Sequence, residues 1–530
     1  MNRKNVSLHP DAFGDLDHYA TIDRVASFAA TEGGKKCVKE ILSRPLHCAR
    51  TLRARAADIH GLAMDRDSIA RLRKHLELVA KHEEGAAWCA TSPEDLDEDT
   101  AEAVQAPYFK GIAKQLNNIW PALWANNCYS AFAVPILAIS APLSYLLAPY
   151  FIIRFKLKIP LDFQTFVKLM YHSFKGAGAA MSIAFGKAPS FAMQLASVVM
   201  TCVMYFQAVV SSVRHSMKLS AAIQRVATQV NCLNRVLQTC DEIADDYDEP
   251  FYRRWCGDGY RCPAKKTGSP ETYDETFRPW CTSFSKALME YSCLDRDNIR
   301  ARLKQLFTLD AVCAFRAAGA AHALRRVTFL PSAYDAVVIR RGRRLRDGDA
   351  ANDFASMRGA NGIVLTGPNA SGKSTLLRMV GCVVLLGQTI GMAPAESCAI
   401  TPVKYVTTMM GIRDDPAAGR SKFQNELQRA GECIESARSR PGDVGLLLLD
   451  EIFGGTDSVQ GDVCGSKVLT SMTETTGCLY VLATHQRGLV EHSKNLPGIR
   501  RYKMESGYKL VPGVNDTYNA SDLFGKAMMS

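Results

Sequence analysis

Three short groups of residues in the C-terminal half have the types and spacing needed to hold and cleave a phosphoanhydride. The first is Gly367-Pro368-Asn369-Ala370-Ser371-Gly372-Lys373-Ser374, followed by Thr375. It fits the pattern G-x-x-x-x-G-K-[ST], with the apolar run Ile363-Val364-Leu365 ahead of it predicting a buried strand and Thr375-Leu376-Leu377 opening a helix. In that setting the backbone N–H groups of residues 369 to 374 turn inward on phosphates, and the helix N-terminus adds its partial positive charge. Lys373 can reach the β and γ phosphates, and Ser374 can hold Mg²⁺. An ordinary glycine turn is the bland alternative, and it leaves the strand before and the helix after unexplained.

The second group closes the apolar run Gly445-Leu-Leu-Leu-Leu449, which ends in Asp450-Glu451 as a buried parallel strand ends at its carboxyl edge. Asp450 there would coordinate Mg²⁺ through water, and Glu451 would polarise an attacking water. The third group follows another apolar run, Cys478 to Ala483, and is Thr484-His485. A lone histidine is more often structural; after a strand, in a chain carrying the other two groups, His485 reads as a γ-phosphate sensor.

Taken in order, Thr366 to Thr375, Gly391-Met-Ala-Pro-Ala395, Asp415-Pro-Ala-Ala-Gly-Arg-Ser421-Lys-Phe423 with Glu426, Asp450-Glu-Ile-Phe-Gly-Gly-Thr456 with Gly461, and Ala483-Thr-His485 resemble the motif series of the MutS ATPase domain. This is the mismatch-repair branch of the ABC-type ATPases. The resemblance implies a P-loop α/β ATPase domain using ATP and Mg²⁺, working as a homodimer or MutS-like heterodimer in which each ATP lies between one subunit's phosphate loop and the other's signature segment. By that resemblance Ser421 reaches the partner's γ-phosphate in trans, and the loop from Gly454 to Gly461 faces the interface. The family usually has a threonine where Lys422 stands, a glycine where Phe453 stands and a basic residue where Gly454 stands; these departures bear on the trans contact and the turnover rate more than on nucleotide binding.

The elements that must position these groups are embedded in a chain of 530 residues, too long for one core. The net charge of +11 suits a polyanionic partner, nucleic acid or anionic lipid. Seventeen cysteines without a C-x-x-C, several of them in predicted core elements (Cys382, Cys464, Cys478), argue for a reducing compartment and against a zinc site or disulfide framework. Met1 to Pro10 is polar and carries no signal-peptide pattern. From Asp15 to Leu62 the periodicity is helical, and Thr31-Glu-Gly-Gly34 with Leu42-Ser-Arg-Pro45-Leu46 resembles the opening of the MutS core or lever region, as Leu306 to Ala318 resembles the helix that closes it. Asp67 to Lys81 predicts a basic amphipathic helix, a solvated face or a contact for DNA phosphates or lipid headgroups. Asp95 to Glu102 predicts an acidic link, Met217 to Asp241 an amphipathic helix ended by the acidic run to Asp248, and Tyr252 to Trp280 a long loop. The family's mismatch-reading domain is not expected ahead of Asp15, and its C-terminal dimerisation appendage is expected to be truncated or replaced.

Two stretches stand apart. No charge occurs between Lys114 and Arg154 or between Lys187 and Arg214. As helices, Trp120 to Ile153 and Ala188 to Val213 would span about 50 Å and about 39 Å against a hydrocarbon core near 30 Å. The first is then one tilted span or a hairpin broken near Pro135 or Pro142, with Trp120, Trp124, Tyr145 and Tyr150 placed as interfacial aromatics. A buried helical core is the competing reading.

The chain is therefore expected to be α plus α/β: a helical core over 1–115, a hydrophobic and transmembrane helical insertion over 116–215, the rest of the core over 216–325 with a loop at 249–282, and a P-loop ABC-type ATPase domain over 326–530. The expected function is an ATP-hydrolysing dimeric clamp acting on DNA in mismatch repair or recombination, or else a membrane-anchored ATPase using the same engine on another substrate. The expected location is a membrane with the ATPase in the cytoplasm or nucleus, or the soluble phase of those compartments. A fused ABC transporter fits less well, because Gly419-Arg-Ser421-Lys-Phe423 is unlike its L-S-G-G-Q signature.

Overall fold

The computed structural model describes residues 5–61, 66–95, 98–170, 172, 191–244, 249–256, 282–346, 350–368, 371–412, 421–475, 477–505 and 508–515. It divides the chain into two compact units, one of Met1–Lys81, Thr239–Pro263 and Ala301–Ser530, the other of His82–Gln238 and Ala264–Arg300. This partition differs from one cut at 115, 215 and 325, because Val6, Leu16 and Leu52 pack with the C-terminal sheet.

The first unit is built on a seven-stranded sheet in the order Ser7–Leu8, Tyr405–Met409, Gly445–Asp450, Cys478–Ala483, Gly362–Thr366, Ile499–Glu505, Lys509–Pro512. All neighbours are parallel except the last pair. The three apolar runs form strands because both faces of each are covered, which turns the usual alternation into continuous hydrophobicity. Leu446, Leu448, Leu479, Val481, Ile363 and Leu365 face one core, shared with Leu376, Val380 and Val383 of the helix Lys373–Ile390. The intervening Leu447, Leu449, Tyr480, Leu482 and Val364 face the other, shared with the helices Lys422–Arg438, Ser458–Glu474 and Arg487–Lys494. Lys373–Ile390 is long and apolar enough to cross a membrane, yet 83% of it is buried, so it is a core helix.

The N-terminal segment belongs to this core. Val6, Leu16 and Leu52 join the Leu376 side, and Arg429 on the Lys422–Arg438 helix pairs with Asp11 at 2.5 Å and Asp15 at 2.7 Å. The two stretches that resemble the ends of the MutS core also meet. Asp310, buried, accepts from Thr31 N (2.8 Å) and Thr31 Oγ1 (2.7 Å), and Thr31 caps Gly34 N at 2.8 Å. Gly34 must lack a side chain there, since a Cβ would lie 2.0 Å from Asp310 Oδ2.

The expected loop from Tyr252 begins as a helix, Glu249–Cys256, because Phe251, Tyr252 and Trp255 are buried and Arg254 forks onto Asp58 at 2.6 and 2.9 Å. Residues 257–281 lie outside the described set. The acidic link is partly helical, with Pro93–Asp95 in a 3₁₀ turn and Glu98–Gln105 an α-helix.

In the second unit, Trp120 to Lys156 is one unbroken helical run, α-helical except for π-helical turns at Tyr129–Ala133 and Ile152–Lys156. The hairpin break expected at Pro135 or Pro142 does not occur. Pro135 lacks the N–H that Ala131 O would accept, and Ser216 Oγ donates to that carbonyl instead at 2.5 Å. The helices expected over 188–213 and 217–241 are likewise continuous, a single helix from Phe191 to Ala244 that runs past Asp241.

Candidate functional site

Parallel register brings the three groups to one edge of the sheet. Asp450 lies opposite Ala483, and Ala483 opposite Leu365, so Asp450-Glu451, Thr484-His485 and the loop from Gly367 leave adjacent strands on the same side. Ligand sites in parallel α/β sheets sit at such a carboxyl edge. The loop enters and leaves through Gly367 (φ +155°) and Gly372 (φ +96°), and a Cβ on Gly372 would sit 2.7 Å from the Tyr508 ring. Gly372 is the residue before the helix, so the N–H groups of Lys373, Ser374 and Thr375 form its open first turn. Asn369 and Ala370 lie outside the described residues, and Pro368 is half-buried.

Lys373 is buried, with Nζ donating to Gly367 O (2.9 Å) and Pro368 O (3.1 Å) and standing 3.6 Å from Glu451 Oε1. The two carboxylates are driven apart. Burial pushes Asp450 above the usual carboxylate range, against a hydrogen bond from Ser374 and with the charge of Glu451 adding to the rise. Glu451 is held below its ordinary value, chiefly by His485 and then by Lys373. His485 Nδ1 lies 3.5 Å from Glu451 Oε1, and that carboxylate raises the imidazole above 6.5. Glu451 takes a left-handed backbone (φ +50°) while its N–H donates to Ala483 O at 2.9 Å, a strained conformation of a kind that clusters at functional sites.

Asp450 Oδ1 and Ser371 Oγ are buried without a protein hydrogen-bond partner. Buried oxygens left unpaired next to a serine hydroxyl suit a hard divalent cation and phosphate. The donor set of Ser374 and Asp450 fits Mg²⁺.

Ser421 is elsewhere. It is exposed and caps the helix Lys422–Arg438 through a capping box with Gln424, and no contact among the described residues joins it to the phosphate loop. Residues 413–420, the rest of the signature segment, lie outside the described set. Glu426, buried on the same helix, accepts from Gly455 N at 3.2 Å, clasping the loop that follows Glu451. In that loop Phe453 adopts φ +57°, a glycine-favouring conformation, and its ring is buried against Phe423. Sequence reasoning passed over Gln486, whose Nε2 donates to Ile452 O at 3.1 Å and fastens that loop to the histidine's strand. Its place directly after His485 was the available signal.

Asp450→Asn gives a direct readout of this electrostatic arrangement. A carboxyl whose folded value is raised above 3.8 gives up stability wherever it is ionised, and recovers it as pH falls through the raised value. Removing the charge should raise the melting midpoint of the ligand-free protein at pH 7 by about 2–4 °C. A lower midpoint would mean that the buried charge is compensated.

The fold and site define a parallel α/β domain with a polar site at its carboxyl edge, fed by a glycine-bounded loop and an acidic strand end. Residues 363–511 match the family MutS domain V. The chain is 35% identical over 164 residues to the DNA mismatch repair protein MutS of Symbiobacterium thermophilum, 30% of this chain and 18% of that protein. It is 31% identical over 206 residues to DNA mismatch repair protein MutS 2 of Halobacterium salinarum (38% and 23%), and 33% identical over 141 residues to DNA mismatch repair protein Msh6 of Gallus gallus (27% and 10%). Through this segment the chain is similar to the MutS family. It spans less than a quarter of the length of each of these curated relatives.

Proposed function

We propose that the domain over 326–530 hydrolyses ATP to ADP and phosphate, and that two such domains close on ATP as a clamp acting on DNA. The observation that carries this reading is the meeting of Lys373, Ser374 with Asp450, and Glu451 with His485 at one sheet edge, inside the matched segment. Lys373 binds the β and γ phosphates, Ser374 and Asp450 hold Mg²⁺, and Glu451 orients the water for in-line attack. His485 senses the γ-phosphate and fixes Glu451. Mg²⁺ held there would neutralise negative charge on the phosphates. Gly367, Pro368, Asn369, Ala370, Ser371, Gly372 and Thr375 form the rest of the cradle, and Ser421 is lent to the partner subunit, the same chain or a MutS-like one. The net charge of +11 is compatible with a duplex as the clamped partner.

The test is hydrolysis measured against protein concentration, with and without branched or mismatched duplex. Specific activity should rise with concentration as the dimer forms and rise again with DNA. A concentration-independent rate from a monomer would remove the clamp.

One observation favours a second reading, a membrane-anchored ATPase. The helical segment Trp120–Pro142 is long and apolar enough to cross a bilayer and only 17% of it is buried. The same engine would then work at a membrane surface, on a DNA or non-DNA substrate.

A further inference from the structure

We propose that the two long helices of the second unit form a two-span hairpin across a lipid bilayer, with both flanking segments on one side and residues 154–170 on the other. This rests on the membrane reading above and gives it a topology.

The helices run antiparallel. Ser216 Oγ donates to Ala131 O at 2.5 Å and Tyr205 Oη to Ile139 O at 2.7 Å, so one chain climbs while the other descends. An antiparallel pair crosses an even number of times, which returns the chain to the side it left.

The dimensions fit. From Val134 to Ile153 the first helix covers about 30 Å at 1.5 Å per residue, the thickness of a hydrocarbon core. Charged residues stand at both limits and nowhere between. Arg214, His215 and Lys218 lie at the level where Ser216 meets Ala131, and Arg154, Lys156 and Lys158 lie at the far end. Tyr129 accompanies the first limit, and at the second Tyr150 accepts from Arg154 at 2.8 Å, the placement of aromatics and snorkelling cations at the two interfaces.

What covers the band follows from its breadth. Ile136, Leu137 and Ile139 are each more than half exposed, and at 100° per residue they point to 0°, about 100° and about 300° around the helix. These directions span an arc of about 160°, wider than the stripe of roughly 100° that a helix packed on a protein core presents. On the second helix Met200, Met204 and Phe206 are more than 60% exposed over a comparable arc. The carbonyl four residues before Pro135 is the one that Ser216 takes, the kind of replacement donor that a bilayer interior demands. Beyond Arg154 the short helix 163–170 folds back with Phe163 and Phe166 against Tyr150 while Val167 and Lys168 stay exposed, an amphipathic segment suited to the headgroup layer.

The test uses the full chain in sealed vesicles, oriented with the ATPase segment outside, treated with trypsin and read by peptide mass spectrometry. Cleavage is expected at Lys110 and Lys114 before the vesicles are opened, and at Lys158 and Lys168 only afterwards. All four side chains are exposed in the structure, so cutting at Lys158 or Lys168 in intact vesicles overturns the two-span topology. Leu137→Arg with Met204→Arg should abolish carbonate-resistant recovery in the membrane fraction and leave ATP affinity within about twofold. Native protein recovered without detergent in the soluble fraction overturns the hairpin. ATP binding is read separately in the same preparation, so loss of that binding with intact membrane insertion would instead count against the nucleotide site.

Discussion

Lys373→Ala is expected to abolish measurable ATP binding. The ammonium is buried at the throat of the loop, already tied to Gly367 O and Pro368 O, so it is preorganised where the β and γ phosphates would arrive. Hydrogen bonds to charged groups contribute about 1.5–3 kcal/mol each, and loss of one or two such contacts weakens affinity by on the order of a hundredfold or more. The substitution also frees the two carbonyls, so the thermal midpoint must be measured beside the titration. A folded variant that binds ATP within about tenfold of the parent would take Lys373 out of the phosphate site.

Glu451→Gln should keep ATP binding and lose turnover by about 10²–10⁴-fold, the range for removing a general base. Because the closed dimer would wait on hydrolysis, the variant should accumulate as an ATP-dependent dimer in gel filtration; normal turnover would remove Glu451 from the mechanism. A second readout is independent of turnover. The His485 contribution is complete below its ordinary 6.5 and lost as pH rises through its raised value, and that of Glu451 is complete above its ordinary 4.5 and lost as pH falls through its depressed value. The pair is therefore intact between these limits and fades as pH rises through the raised value of His485. Removing the carboxylate should return the His485 titration toward 6.5 by NMR, and an unmoved titration would show that the 3.5 Å contact carries no coupling.

The strands, and the meeting of their carboxyl ends at one sheet edge, were legible because their physics is local. A continuous apolar run ending in Asp450-Glu451 has few alternatives, and the glycines of 367–372 leave little choice of backbone. Longer-range facts were not legible. Nothing local says that Ser7–Leu8 pairs beside Tyr405–Met409 or that Asp15 pairs with Arg429, since those contacts join residues some four hundred positions apart. Pro135 reads as a break because the sequence does not reveal that Ser216 supplies a donor to Ala131 O. Phe453 read only as a departure from the family; the structure adds that its backbone is left-handed and that its ring is buried beside Phe423.

Ser421 carries a consequence for how this surface can change. Its oxygen accepts from Gln424 N to start the Lys422–Arg438 helix, while under the proposed dimer its hydrogen would be donated to a neighbouring γ-phosphate. Aspartate would preserve the helix start but repel the phosphate, and alanine would forfeit both. Threonine alone retains an acceptor and a donor on one oxygen, so evolutionary drift at this position has a single conservative exit.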